Sequence, residues 1–173
     1  MTTPQSMSAE HRLLRDKLLW RNPFASTGRF LTIHMDQNNR CNLKCRMCGF
    51  SDSRVDALPK YDMPRWLFDT IARQLFPLAN YVQFSMMTEP FMTRDFPERL
   101  DAARLFAVPF SDVITNGTLL TDRAIDALID ARISRLTVSV DGGTKEVFEH
   151  IRVGANLPFD SWSGECVTEA LAP

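Results

Sequence analysis

The chain's 173 residues, 45% hydrophobic and 24% charged, suffice for one globular domain with a buried core. Its 20 basic and 21 acidic residues leave a net charge of -1, which excludes an overall field that would draw it to nucleic acid or to an anionic membrane. Three of the four cysteines crowd into the stretch from Cys41 to Cys48 and only Cys166 is left over, so a disulfide framework is excluded and a reducing compartment is expected.

The N-terminal stretch has neither a continuous apolar core nor a cleavage site, and no run is long enough to span a bilayer, so a soluble cytoplasmic protein is expected. From Ala9 to Trp20, Leu13, Leu14 and Leu18 recur at helical spacing, with Arg12, Arg15, Asp16 and Lys17 on the other side, and Pro23 forbids continuation. Residues 1–29 therefore read as a helical extension ahead of a core at 30–156.

Phe30 to Asp36 alternates, with Leu31, Ile33 and Met35 on one face and Thr32, His34 and Asp36 on the other, which predicts a strand. The segment Arg40-Cys41-Asn42-Leu43-Lys44-Cys45-Arg46-Met47-Cys48 follows it, with the spacing Cys-x-x-x-Cys-x-x-Cys. Three closely spaced thiolates make a metal site. A [4Fe-4S] cluster held by three cysteines keeps one iron without a protein ligand, open to a substrate or cofactor, whereas electron carriers usually close the cluster with four.

Asp62-Met63-Pro64 opens a helix of about four turns on which Leu67, Ile71 and Leu75 recur, with Phe68 beside them. Tyr81 to Met87 alternates as a second strand and runs into Thr88-Glu89-Pro90. Arg94 to Phe106 predicts a helix burying Phe96, Leu100 and Ala103, Asp112 to Thr115 a third strand, and Thr121 to Ala131 a helix with a Thr cap. Arg135 to Val140 predicts a fourth strand with Thr137 and Ser139 inside, and Thr144 caps a last helix bearing Val147, Phe148 and Ile151. The alternation points to βαβ units and a parallel α/β sheet. In such sheets ligands gather at the carboxyl ends of the strands, which here deliver Asp36, Ser85, Thr88, Glu89, Thr115, Asn116, Ser139 and Asp141.

The cysteine spacing and these strand-end segments together resemble the radical S-adenosylmethionine (radical SAM) enzymes, closest to the core of the subgroup with SPASM-type C-terminal extensions. The resemblance implies a partial (β/α)6 TIM-like barrel with about four βα units present. It also implies that Cys41, Cys45 and Cys48 bind a [4Fe-4S] cluster whose open iron takes SAM. An electron then splits SAM to a 5'-deoxyadenosyl radical, which takes hydrogen from an unknown substrate. Thr88-Glu89-Pro90 sits where the family has Gly-Gly-Glu-Pro, the loop that binds SAM's amino group, which makes Glu89 and the backbone near Met87 and Thr88 SAM contacts. Met87 and Thr88 replace glycines there and must adopt ordinary φ or carry strain.

By the same resemblance Asn116 lies in the third-strand SAM segment, Thr115-Asn116-Gly117. Ser139-Val140-Asp141-Gly142 matches the fourth-strand segment, which brings Ser139 and Asp141 to the ribose or carboxylate. Ile151-Arg152 with Gly154-Ala155-Asn156 looks like the family's Ile-Arg-x-Gly helix end, making Arg152 a candidate bidentate partner for the SAM carboxylate. Met47 takes a position that is often aromatic in the family and covers adenine. Arg40, Lys44 and Arg46 either raise the cluster potential or form a solvated basic loop. An external electron donor of flavodoxin or ferredoxin type is implied, with a peptide or small-molecule substrate.

Residues 157–173 offer no fifth strand and read as an irregular tail, so the chain is expected to be truncated or to need a partner chain to complete its sheet. Two other readings remain: a non-catalytic zinc module in which His34 or His150 completes a Cys3His set, and an inactive remnant that keeps the fold. The zinc module explains neither the polar strand ends nor the segments around Glu89, Asn116 and Asp141.

Overall fold

The computed structural model describes residues 28–156, so the expected helix at Ala9 to Trp20, the tail at 157–173 and Cys166 lie outside the described residues. Strands β1 (Leu31–His34), β2 (Ala79–Gln83), β3 (Phe110–Thr115) and β4 (Arg135–Val138) form one parallel sheet in the order β1-β2-β3-β4. Spatial order follows chain order with no switch point, which is how a barrel wall differs from a doubly wound sheet. Helices α1 (Ser53–Asp56) and α2 (Arg65–Leu75) cross from β1 to β2, α3 (Phe96–Leu105) from β2 to β3 and α4 (Asp122–Asp130) from β3 to β4, while α5 (Lys145–Ile151) follows β4. The sheet is an unclosed arc of a (β/α) barrel, as the sequence predicts.

One face of the sheet packs against the helices. Val82, Phe84 and Val113 are fully buried there, with Leu31, Ile33 and Leu136 packed around them. Phe76 is the hub of this layer, edge-on to Phe68 at 6.1 Å, Phe84 at 5.8 Å and Phe106 at 6.0 Å. The buried stripe of α2 runs through Phe68 and Ala72, and Leu75, expected on that stripe, is 38% exposed. The helix tightens there into a 3-10 turn at Phe76–Leu78 that swings Phe76 inward instead. Similarly, Phe148 alone is fully buried on α5 and Val147 faces outward. Thr121 and Thr144 cap α4 and α5 as expected, accepting from the backbone N–H groups of Ala124 and Val147. The short helix α1 escapes periodicity, although Asp52 caps it through Arg54 N–H.

The opposite face is polar and aligned in register. His34 pairs with Gln83, Gln83 with Asp112 and Asp112 with Arg135, one residue from each strand in a single row. His34 Nδ1 and Gln83 Oε1 share a hydrogen bond at 2.6 Å, and Asp112 Oδ2 accepts from Tyr81 at 2.9 Å and from Arg135 at 2.6 Å. Barrel interiors are ordinarily filled by branched apolar side chains, so this hydrogen-bonded row replaces part of a core. Among the described residues no helix is long and apolar enough to cross a membrane.

Candidate functional site

Immediately past β1 the chain is anchored to the loop after β2. Asn38 Nδ2 donates to the Glu89 carbonyl and to Thr93 Oγ1, both at 2.9 Å, and Glu89 N–H donates to the Arg40 carbonyl at 2.9 Å. The cysteine loop is held on its other side by the chain leaving α5, where Lys44 N–H donates to the Val153 carbonyl and Arg46 N–H to the Ile151 carbonyl, each at 2.9 Å. Leu43, Cys45, Phe148 and Ala155 form a small apolar cluster beneath it, with Cys41 and Cys48 at its edge. The loop is therefore fixed on two sides by hydrogen bonds to distant segments and beneath by apolar packing, none of which needs a metal.

Cys41, Cys45 and Cys48 form no disulfide. Burial pushes the Cys41 and Cys45 thiols up. No group of three or more His, Cys, Asp or Glu side chains converges on one metal ion among the described residues. In a cubane each cysteine ligates a different iron, so the sulfurs of a cluster site need not meet at a point. Three undisulfided cysteines packed about one apolar cluster offer the kind of thiolate donors that a [4Fe-4S] cluster takes. His34, offered as a fourth zinc ligand, is engaged with Gln83 and Tyr81 on the inner face.

Two donors reach the sulfurs. Asn116 Nδ2 lies 3.8 Å from Cys41 Sγ and also donates to Asn42 Oδ1 at 2.9 Å, while Asn42 Nδ2 donates to Thr118 Oγ1 at 2.8 Å. Arg152 Nη1 lies 3.9 Å from Cys45 Sγ, and its Nη2 pairs with Asp141 Oδ2 at 2.5 Å. Gly142 follows Asp141 at φ 153°, where a Cβ would come within 2.6 Å of the Phe148 backbone nitrogen.

Glu89 is 1% exposed and its carboxylate faces the protein. It accepts from Thr115 Oγ1 at 2.8 Å, Asn116 N–H at 2.9 Å and Phe91 N–H at 3.3 Å, which ties the β2 loop to the end of β3. Burial pushes this carboxyl up, against the pull of those donors. Asp36 does comparable work one loop away. Its Oδ1 accepts from Met86 N–H at 2.8 Å, Met87 N–H at 3.1 Å, Thr88 N–H at 3.1 Å and Thr88 Oγ1 at 2.9 Å. Phe84 N–H still donates to the Asp112 carbonyl of β3 at 2.8 Å, but from Met86 onward the N–H groups turn to the Asp36 carboxylate, so the strand does not run on to Met87. Among the described non-glycine residues only Ala107 and Arg132 have positive φ, so Met87 and Thr88 keep ordinary φ where glycines were expected.

The remaining expected residues surround these groups. Met47 is 60% and Met87 58% exposed, and Ser139 donates its N–H to the Thr115 carbonyl at 2.9 Å. Arg40 pairs with Asp62 and Lys44 with Asp56, while Arg46 Nε donates to the His150 carbonyl at 2.7 Å, so none of the three cations is a purely solvated charge. Sequence reasoning passed over Asn38 and Asn42 as anchors, and Tyr81, Asp112 and Arg135 as an inner network. Charged residues inside otherwise apolar strands were the available signal.

The chain matches the Radical SAM superfamily over residues 37–160, which contain the three cysteines and each of these strand-end residues except Asp36. The chain belongs to the Radical SAM superfamily. Members use a [4Fe-4S] cluster together with SAM. A probable GTP 3',8-cyclase from Methanocella arvoryzae is 33% identical over 132 residues, covering 71% of this chain and 38% of the cyclase. The tungsten-containing aldehyde ferredoxin oxidoreductase cofactor-modifying protein of Pyrococcus furiosus is 29% identical over 114 residues, covering 63% of this chain and 30% of that protein. Among solved structures, BtrN in complex with AdoMet and 2-DOIA superposes with a TM-score of 0.56 at 21% identity, over 79% of this chain and 54% of BtrN, a likeness of fold. The chain thus spans well under half the length of either curated relative.

Proposed function

We propose that the chain is a radical SAM enzyme core in which Cys41, Cys45 and Cys48 hold a [4Fe-4S] cluster and the surrounding strand ends hold SAM. When bound, the cluster and SAM supply a one-electron cleavage that yields methionine and a 5'-deoxyadenosyl radical, which takes a hydrogen atom from the substrate. The chain's own part is placement. Glu89 fixes the third strand end against the second through Thr115 and Asn116. Asp36 shapes the Met86–Thr88 backbone that faces SAM's amino group, Met47 and Met87 cover the ligand, and Ser139, Asn116, Asp141 and Arg152 border its ribose and carboxylate.

The observation that carries this reading is the group of three undisulfided cysteines clamped between the Glu89 loop and the chain leaving α5. An external flavodoxin- or ferredoxin-type donor would supply the electron in a reducing cytoplasm. Peptide and small-molecule substrates both fit, because hydrogen abstraction by a carbon radical needs no acid or base on the protein, and the relatives' names point to different substrates.

Iron and sulfide analysis of anaerobically purified protein tests the cluster. About four of each per chain are expected of a filled cubane, and Cys45→Ala should abolish both. Adding SAM to the reduced protein should change its EPR spectrum and release 5'-deoxyadenosine. One equivalent of zinc without sulfide would overturn the reading, and a cluster indifferent to SAM would reduce the chain to a binding remnant.

A further inference from the structure

Cys45 and Arg152 face each other across two backbone hydrogen bonds. Lys44 and Arg46, on either side of Cys45, donate to Val153 and Ile151, on either side of Arg152. Residue 152 is therefore held opposite residue 45 by main-chain geometry that a side-chain substitution does not alter. Arg152 N–H also closes α5 by donating to the Phe148 carbonyl at 2.7 Å. Arg152 is 9% exposed; its guanidinium lies 3.9 Å from Cys45 Sγ through Nη1 and 2.5 Å from Asp141 Oδ2 through Nη2, and its buried Nε has no hydrogen-bond partner among the described residues. A buried cation is seldom placed beside sulfur without consequence, because at low dielectric its field on a neighbouring charge is large.

We propose that Arg152 and Asp141 form a paired charge that sets the reduction potential of the cluster on Cys45. The inference rests on the cluster reading above and deepens it. Reduction adds one negative charge to the cluster. A cation and an N–H donor at a ligating sulfur stabilise that charge and raise the potential, and a carboxylate paired with the cation withdraws part of the effect. The two side chains thus push in opposite directions from one place. Asn116, the other donor to a ligand sulfur, is neutral and lacks such a counterweight.

Potentiometric titration of the reconstituted protein without SAM, followed by EPR, reads this directly. Arg152→Gln should shift the midpoint downward, Asp141→Asn should shift it upward, and Arg152→Lys should lie between wild type and Arg152→Gln. A merely structural role for the pair would not give shifts of opposite sign. Unshifted midpoints in both variants, with SAM affinity lost in Arg152→Gln, would overturn the proposal and leave Arg152 as a SAM-carboxylate ligand. If Arg152→Gln fails to hold iron, Asp141→Asn decides alone: an upward shift sustains the proposal and any other result overturns it. Wild-type protein without iron and sulfide would overturn the cluster reading itself, an outcome distinguishable from a loaded cluster with unmoved potentials.

Discussion

On its helix-covered face the sheet presents Val82, Phe84 and Val113 to the aromatic layer around Phe76, whereas on the opposite face the same strands present His34, Gln83, Asp112 and Arg135 to one another. The first face is held by area and shape, with rings meeting edge to face. The second is held by a chain of hydrogen bonds in which Asp112, 1% exposed, takes both Tyr81 and Arg135 on one oxygen. Stability is thereby concentrated on the outside of the arc, and the lumen is left polar at the cost of ordinary core packing.

The largest blow to this division of labour should come from the helix-covered face. Phe76→Ala empties the hub of the aromatic layer and should cost about 3–5 kcal/mol in urea unfolding. Next comes the seam between strand ends, where Glu89→Gln leaves one of its donors unmatched. A loss of about 1–3 kcal/mol is expected by the same measurement. On the lumen face, Tyr81→Phe removes one donor to Asp112 and should cost about 0.5–1.5 kcal/mol. Combined with Arg135→Gln it should be non-additive in a double-mutant cycle, since both groups share Asp112 Oδ2. Additive losses would show that the row is a set of separate contacts rather than a network.

The smallest effect is one of pH. Burial pushes the Glu89 carboxyl up, so the folded chain holds that proton more tightly than the unfolded chain does. Its contribution to stability is complete below the unfolded value and is lost as pH rises through the folded one. Glu89→Gln should erase that part of the stability–pH curve, and a curve of unchanged shape would contradict the buried carboxyl's role.

Much of this was legible because it is local. The cysteine spacing, the threonine caps of α4 and α5, and the alternation of strands with helices depend on neighbours a few residues apart. What escaped depends on distant partners. Asp36 was visible as a polar strand end, yet its partners are backbone N–H groups some fifty residues on, which no side-chain pattern announces. Arg152 was read towards the SAM carboxylate, and its place beside Cys45 arises from a pairing across 107 residues. Strand ends were misjudged for the same reason, since Met86 and Met87 alternate like a strand while their N–H groups belong to Asp36.

The Asp36 carboxylate adds to Asn38 and the Arg40 carbonyl in tying the stretch leading to Cys41 to the loop after β2. Amide protons at Met86, Met87 and Thr88 are protected by that grip, and the stretch leading to Cys41 is freed when Asp36, Asn38 and the Arg40 carbonyl let go together. Deuterium uptake at the two segments should therefore follow a single opening event with one free energy. Anything that steadies the cysteine turn would then slow exchange in the distant loop as well.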